Sequence, residues 1–338
     1  MNMTDERPLL AVVPGEPAGV GPELLLRILR DEQPARLVAI ANAQTLRESR
    51  DVMQRGIEVR EITDVDAADF SRSDVLNVLD VPRGAPTEPG VLHLANAPAV
   101  IGALNLASDL ALAGDVAGIV TGPTHKAHLI AAGFGYTGTT EWLADRAGAS
   151  VVMMLAHDHL RVALVTTHLP LREVADAITP AILRECIEIV ERGLRNDFGI
   201  ARPRLAILGV NPHAGEDGEL GREEIDVYAP VLADLRRSGL NLVGPLPADT
   251  AFLPQKLGDF DAVIAAYHDQ GLPVLKYSGF EKAVNITLGL PYPRVAVDHG
   301  TALDLAGTRR ADPSSLQMAV KVCAEMARAR REQRNHGE

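Results

Sequence analysis

Three short apolar runs in the second half of the chain each end in a histidine. Leu160 to Thr167 leads into His168, Leu205 to Val210 passes through Asn211 and Pro212 into His213, and Ala262 to Ala266 stops at Tyr267-His268-Asp269-Gln270-Gly271. A short apolar run bounded by turn residues reads as a strand buried on both faces, the kind found in parallel sheets covered by helices. Helix-patterned stretches separate the runs, so the expected fold class is α/β with an open sheet. In such a sheet ligands collect outside the carboxyl ends of the strands. Three imidazoles in that position can converge although they lie 45 and 55 residues apart. We read His168, His213 and His268 as a three-imidazole divalent metal site. The competing reading of each is an ordinary hydrogen-bonded loop residue, and no His-x-x-x-His pair fixes two of them on one helix face.

The chain has 338 residues, enough for two domains or one large α/β domain with a second lobe. Its net charge of -12 argues against a general nucleic-acid surface, so an anionic substrate needs a local basic pocket. Only 5 of the 33 basic residues are lysines, and two of them, Lys126 and Lys276, sit inside loop motifs. Cys186 and Cys323 lie in helical stretches without Cys-x-x-Cys spacing, which suits reduced, buried thiols. The N-terminus carries no apolar leader and no apolar run reaches spanning length, so the expected location is cytoplasmic, with no membrane contact.

Two further strand ends open into loops rich in small residues. Leu9 to Val13 is followed by Pro14-Gly15-Glu16-Pro17-Ala18-Gly19-Val20-Gly21-Pro22-Glu23, and Ala117 to Thr121 by Gly122-Pro123-Thr124-His125-Lys126. Both are read as ligand loops, although the first lacks the dinucleotide-binding glycine spacing, and the residues contacting a cofactor stay unassigned. Gly138-Thr139-Thr140-Glu141 opens a helix whose first turn suits either an anion or a simple cap. His157 and His159 are expected to be exposed turn residues of a hairpin between Val151 to Ala156 and Leu160 to Thr167.

In order along the chain, Val13 to Glu23, Thr121 to Lys126, Thr166 to Leu171, Asn211 to Glu216, Gly244 to Asp249, Tyr267 to Lys276 and Asp298 to Ala302 resemble the 4-hydroxythreonine-4-phosphate dehydrogenases of pyridoxal phosphate biosynthesis. The resemblance implies a two-lobed, isocitrate/isopropylmalate-dehydrogenase-like fold with a mixed sheet and the active site in the cleft. Residues 1–130 with 300–338 would form the first lobe, and 131–299 the second, carrying the metal ligands and the dimer contact. It implies NAD or NADP as hydride acceptor and one divalent cation per site, Zn, Mg or Co. It also implies a homodimer with active sites at the subunit interface. Family metal ligands fall on His168, His213 and His268, and substrate contacts on Thr140, Lys276, Asn285 and Arg294. One position departs from the pattern: the family usually has Gly-His-Thr-Glu where this chain has Gly138-Thr139-Thr140-Glu141, so Thr139 replaces a substrate-binding imidazole.

The implied reaction oxidises 4-phosphohydroxy-L-threonine to 2-amino-3-oxo-4-phosphooxybutanoate, a β-keto acid that decarboxylates to 3-amino-2-oxopropyl phosphate. His168, His213, His268 and Lys276 are the expected catalytic residues. Three neutral imidazoles leave a dication its full charge and open positions, which suits acidifying an alcohol. Related dehydrogenases act on other diols, threonate or erythronate phosphate or the cis-dihydrodiol of terephthalate. A metal-dependent hydrolase or lyase would use the same three histidines without NAD.

Overall fold

The computed structural model describes residues 6–29, 31–53, 56–158, 160–279 and 282–337. Its strands in chain order are β1 (Leu9–Val13), β2 (Arg36–Ala41), β3 (Glu58–Ile62), β4 (Val75–Asp80), β5 (Gly118–Thr121), β6 (Val152–His157), β7 (Leu160–Leu164), β8 (Arg204–Leu208), β9 (Asn241–Leu246), β10 (Ala262–Ala265), β11 (Val284–Leu288) and β12 (Arg294–Val297). The chain divides into two compact units. One is built from the chain up to Ala149 together with Leu290–Arg328, the other from Ser150–Gly289 together with the chain from Ala329 onward. The division places Thr139, Thr140 and Arg294 in the first unit and His168, His213, His268, Lys276 and Asn285 in the second.

In the first unit the strands run β3-β4-β2-β1-β5-β12, every pair parallel. Continuous apolar strands such as Leu10 to Val13 are almost fully buried, as a sheet covered on both faces requires. Successive strands build outward from β1 in one direction through β2 and β4, whereas β5 lies on its other side. The carboxyl ends of β1 and β5 therefore flank a point where strand order reverses, the usual ligand position in such sheets. The mixed, polar region from Ile57 to Leu79 contains the regular pair β3 and β4, with Glu58 to Ile62 in register with Val75 to Leu79.

In the second unit the order is β11-β6-β7-β10-β8-β9, antiparallel from β11 to β7 and parallel from β7 to β9. The expected hairpin is present as β6 and β7, with His157 opposite Leu160. Expectation and structure part at its tip: His157 is buried and its Nε2 lies 2.8 Å from Ser278 Oγ, while His159 lies outside the described residues. An imidazole at a strand end fills space under a neighbouring helix when that helix supplies a polar partner.

The helix His268–Gly279 lies over the parallel part of this sheet and buries Leu272 and Leu275 among Val162, Leu164, Val263 and Ala265. Burial of each leucine is worth about 1.5–3 kcal/mol. Gly271 permits the close approach, since a Cβ there would stand 2.6 Å from Val162 Cγ1 and 3.2 Å from Ala265 Cβ. A long amphipathic helix, Pro180–Phe198, is capped at its start by Thr179, whose hydroxyl accepts from the Ile182 N–H, and ends at the left-handed Gly199.

Candidate active site

Strands β7, β10 and β8 are neighbours and parallel, so their carboxyl ends share one edge of the sheet. His168, His268 and His213 follow those three ends respectively. The rings of His168 and His268 have centroids 5.7 Å apart. Two imidazoles on one ion, with metal–nitrogen bonds of about 2.0–2.1 Å, have ring centres about 5–6 Å apart, so this pair fits a shared ion as it stands. His268 Nδ1 lies 2.6 Å from Asp269 Oδ1. A carboxylate there favours the tautomer with its proton on Nδ1, which leaves the Nε2 lone pair outward, as metal ligation needs.

His213 is exposed on the adjacent strand end and does not complete a three-donor group. Among the described residues no cluster of three or more His, Cys, Asp or Glu side chains is close enough to hold an ion. The cause is local. His213, Ala214, Gly215, Glu216 and Asp217 all have positive φ, between 45° and 86°. Left-handed backbone costs a residue with a Cβ roughly 1–2 kcal/mol, so the turn persists only because its surroundings hold it. Donor chemistry therefore suits a divalent cation, and two of the three donors stand at the right spacing.

The residues expected to contact substrate fall into two sets, one in each unit. In the first unit Arg294 is buried at the start of β12, donating from Nη1 to Thr140 Oγ1 at 3.1 Å and from Nη2 to Thr121 Oγ1 at 2.7 Å. Burial lowers its pKa to about 10, still cationic at neutral pH. Thr139 joins a hydroxyl cluster: Thr124 Oγ1 lies 2.9 Å from the Tyr136 phenol and 3.3 Å from Thr139 Oγ1, and Tyr136 and Thr139 are hydrogen-bonded to each other. Burial pushes the Tyr136 phenol up, so it remains a neutral donor. Thr139 thus points its hydroxyl at partners of its own unit. In the second unit Lys276 is half-buried on the His268–Gly279 helix, and Asn285 on β11 has a buried side-chain oxygen without a hydrogen-bond partner among the described residues.

Sequence reasoning missed how the first two loops fit together. Glu16 N–H donates to Pro123 O at 2.9 Å, and a Cβ on Gly15 or Gly122 would come within 2.1 or 2.2 Å of the facing loop's carbonyl oxygen. The Glu16 carboxyl, buried, lies 3.0 Å from His128 Nδ1, also buried. Proline and glycine at Pro14-Gly15 and Gly122-Pro123 were the only signal of this interlock, and the partnership across 112 residues was not in the spacing.

The sequence profile of the family described as "Pyridoxal phosphate biosynthetic protein PdxA" matches residues 33–323. A 4-hydroxythreonine-4-phosphate dehydrogenase of Xanthomonas oryzae pv. oryzae is 58% identical over 324 residues, covering 96% of this chain and 99% of the relative. Among solved structures, the 4-hydroxythreonine-4-phosphate dehydrogenase of Klebsiella pneumoniae superposes with a TM-score of 0.88 at 38% identity, covering 96% of this chain and 99% of that one. The terephthalate 1,2-cis-dihydrodiol dehydrogenase of Burkholderia xenovorans LB400 superposes with a TM-score of 0.67 at 27% identity, covering 94% and 98%.

Proposed function

Because the chain belongs to the PdxA family of pyridoxal phosphate biosynthetic proteins, we propose that it oxidises 4-phosphohydroxy-L-threonine to 2-amino-3-oxo-4-phosphooxybutanoate, which loses carbon dioxide to give 3-amino-2-oxopropyl phosphate. The observation that carries this reading is the end-to-end match to relatives bearing that activity in their name, at 58% identity against 27% for the dihydrodiol dehydrogenase. A dehydrogenase of this family works with a nicotinamide cofactor, and we take NAD as the hydride acceptor, with NADP as the second choice.

His168, His268 and His213 would hold a divalent cation, Zn, Mg or Co, which when bound supplies a Lewis acid that eases loss of the alcohol's proton. NAD when bound supplies the acceptor for the hydride. Asp269, hydrogen-bonded to His268 Nδ1, would orient the ring with Nε2 toward the cation. Arg294 holds the Thr140 and Thr121 hydroxyls at a fixed distance from a buried positive charge, an anchor for an anionic group. Lys276 adds a point charge suited to phosphate, and Asn285 an amide whose oxygen awaits a donor. Thr139 offers one hydroxyl in place of an imidazole, so it shapes the pocket without bringing charge.

We also assign a homodimer. That reading rests on the family resemblance; in the second unit Leu169 and Leu171, which follow His168 in sequence, and Tyr277, which follows Lys276, are exposed apolar side chains that such a contact would cover. Among the described residues no helix is long and apolar enough to cross a membrane, and the expected setting is the cytoplasm.

The test is a panel of diols, phosphorylated and not, followed at the absorbance of reduced nicotinamide with NAD and with NADP. Turnover of 4-phosphohydroxythreonine is expected. Efficient oxidation of a dicarboxylate dihydrodiol with no reaction on the phosphorylated amino acid would overturn the reading.

A further inference from the structure

The three strand ends that carry His168, His268 and His213 are stapled to one another by a short chain of hydrogen bonds that passes through one side chain, Gln270. Its Oε1 accepts from Ala266 N–H at 2.7 Å, at the end of β10, and its Nε2 donates to Gly209 O at 2.7 Å, just past the end of β8. From Ala266 the chain continues to the third end. The Thr166 N–H and hydroxyl both donate to Ala266 O, at 3.1 and 2.8 Å. Thr166 lies two residues before His168, Gln270 two after His268, and Gly209 four before His213.

This bridge does what the ladder no longer can. Beyond the last paired residues of parallel strands the backbones diverge, and their free N–H and C=O groups need partners. A primary amide, with one donor face and one acceptor face, satisfies one group on each strand and fixes their separation. A carboxylate of the same size could not donate, and an aliphatic side chain could do neither.

The outer side of the His213 turn is held separately. Glu224, buried, accepts from the Asn211 N–H at 2.8 Å and from Asn211 Nδ2 at 2.9 Å, and Glu223 accepts from the same Nδ2 at 2.6 Å. Cβ atoms on Gly209 and Gly215 would each come within 2.7 Å of the Glu224 carboxyl, so the turn is wrapped around it. Pro212 has no N–H, which makes Asn211 the last backbone donor before His213. The left-handed turn is thus clamped on one side by Glu224 and referenced to the His268 strand on the other by Gln270.

We propose that Gln270 is a positioning residue for the three-imidazole site: it sets the distance of the His213 strand end from the His168 and His268 pair, and so governs how tightly a divalent ion is held and in what geometry. The inference rests on the reading of those histidines as metal ligands. It concerns a residue whose amide is taken up by Ala266 and Gly209. Groups placed behind metal ligands typically change affinity 10- to 100-fold when removed, so an effect of about that size is expected.

The probe is Co²⁺ added to the metal-free full-length chain, read by calorimetry and by the visible ligand-field bands, which report coordination geometry independently of turnover. Gln270→Leu and Gln270→Glu are compared with wild type and with His168→Ala. The Glu variant keeps the acceptor for Ala266 N–H and the side-chain length, so it carries the test should the Leu variant not fold. The expected result is an affinity weakened about 10- to 100-fold, with altered bands, in folded Gln270 variants. Wild-type affinity and spectrum in Gln270→Glu would overturn the inference while leaving the metal site standing. Failure of wild type to bind Co²⁺, or equal binding by His168→Ala, would remove the metal reading itself and this inference with it.

Discussion

Arg294 and Thr140 lie 154 residues apart and meet at 3.1 Å inside the first unit, a guanidinium on β12 holding a hydroxyl at the start of the Thr139–Ala147 helix. The pairing joins two residues that the family resemblance assigns to substrate, and it fixes both before any ligand arrives. Replacing Arg294 with Lys keeps the charge but cannot reach Thr140 and Thr121 together in a planar fork. Loss of a hydrogen bond to a charged group costs about 1.5–3 kcal/mol. Arg294→Lys is therefore expected to raise KM for the phosphorylated substrate roughly ten- to a hundredfold, measured by steady-state kinetics against Thr121→Ser as a mild control.

Replacement of His168, His213 or His268 by Ala is expected to abolish metal retention and turnover together. Metal content after dialysis, measured beside activity, checks this. A variant fully active in the presence of chelator would contradict the assignment.

Thr139→His is expected to tighten binding of 4-phosphohydroxythreonine or leave it little changed, provided the ring is accommodated beside Tyr136 and Thr124. Tyr136→Phe removes one partner of the Thr139 hydroxyl and should shift KM more than kcat. Calorimetric titration of both variants with substrate separates a binding effect from a chemical one.

Glu48 is held below the usual carboxylate range by Arg83, whose guanidinium nitrogens lie 2.5 and 2.8 Å from its oxygens. Because its folded pKa is depressed, the stabilisation is complete above the ordinary value of 4.5 and is lost as pH falls through and below it. The pair is partly exposed and screened, so its effect is modest. Thermal midpoints of wild type and Glu48→Gln should differ at neutral pH and converge as pH falls well below 4.5.

Burial pushes the Cys186 thiol up to about 12, and Cys323 is equally enclosed, its sulfur 2.8 Å from where a Cβ on Gly118 would sit. Neither thiol should react with a disulfide reagent at neutral pH until the chain unfolds. Counting released thiolate with and without denaturant checks this.

What could be read ahead of the structure was whatever a single strand or loop carries by itself. A continuous apolar run followed by a histidine announces a parallel strand and its carboxyl end, and β7, β8 and β10 stand where those runs fall. Partnerships set by register between strands were not legible. Gln270 looked like one polar residue in a turn, because Gly209 is 61 residues away and comes opposite only when β8 pairs with β10. Nothing in the local spacing showed that His213 and Ala214 themselves would adopt positive φ, and the carboxylate of Glu224, which holds Asn211 just before them, comes 13 residues later in the chain. His157 was misplaced for a related reason: its partner, Ser278, belongs to a helix far along the chain.

The late arrival of β12 in a sheet otherwise complete by β5 has a consequence for synthesis. On the ribosome β5, paired only with β1, keeps one open edge while Ser150–Gly289 is being made, and the Thr121 hydroxyl waits 173 residues for its guanidinium. Open parallel edges invite pairing with other chains. The nascent protein is therefore open to edge pairing over that interval, and emergence of β12 both closes the edge and brings Arg294 to Thr121 and Thr140 in a single step.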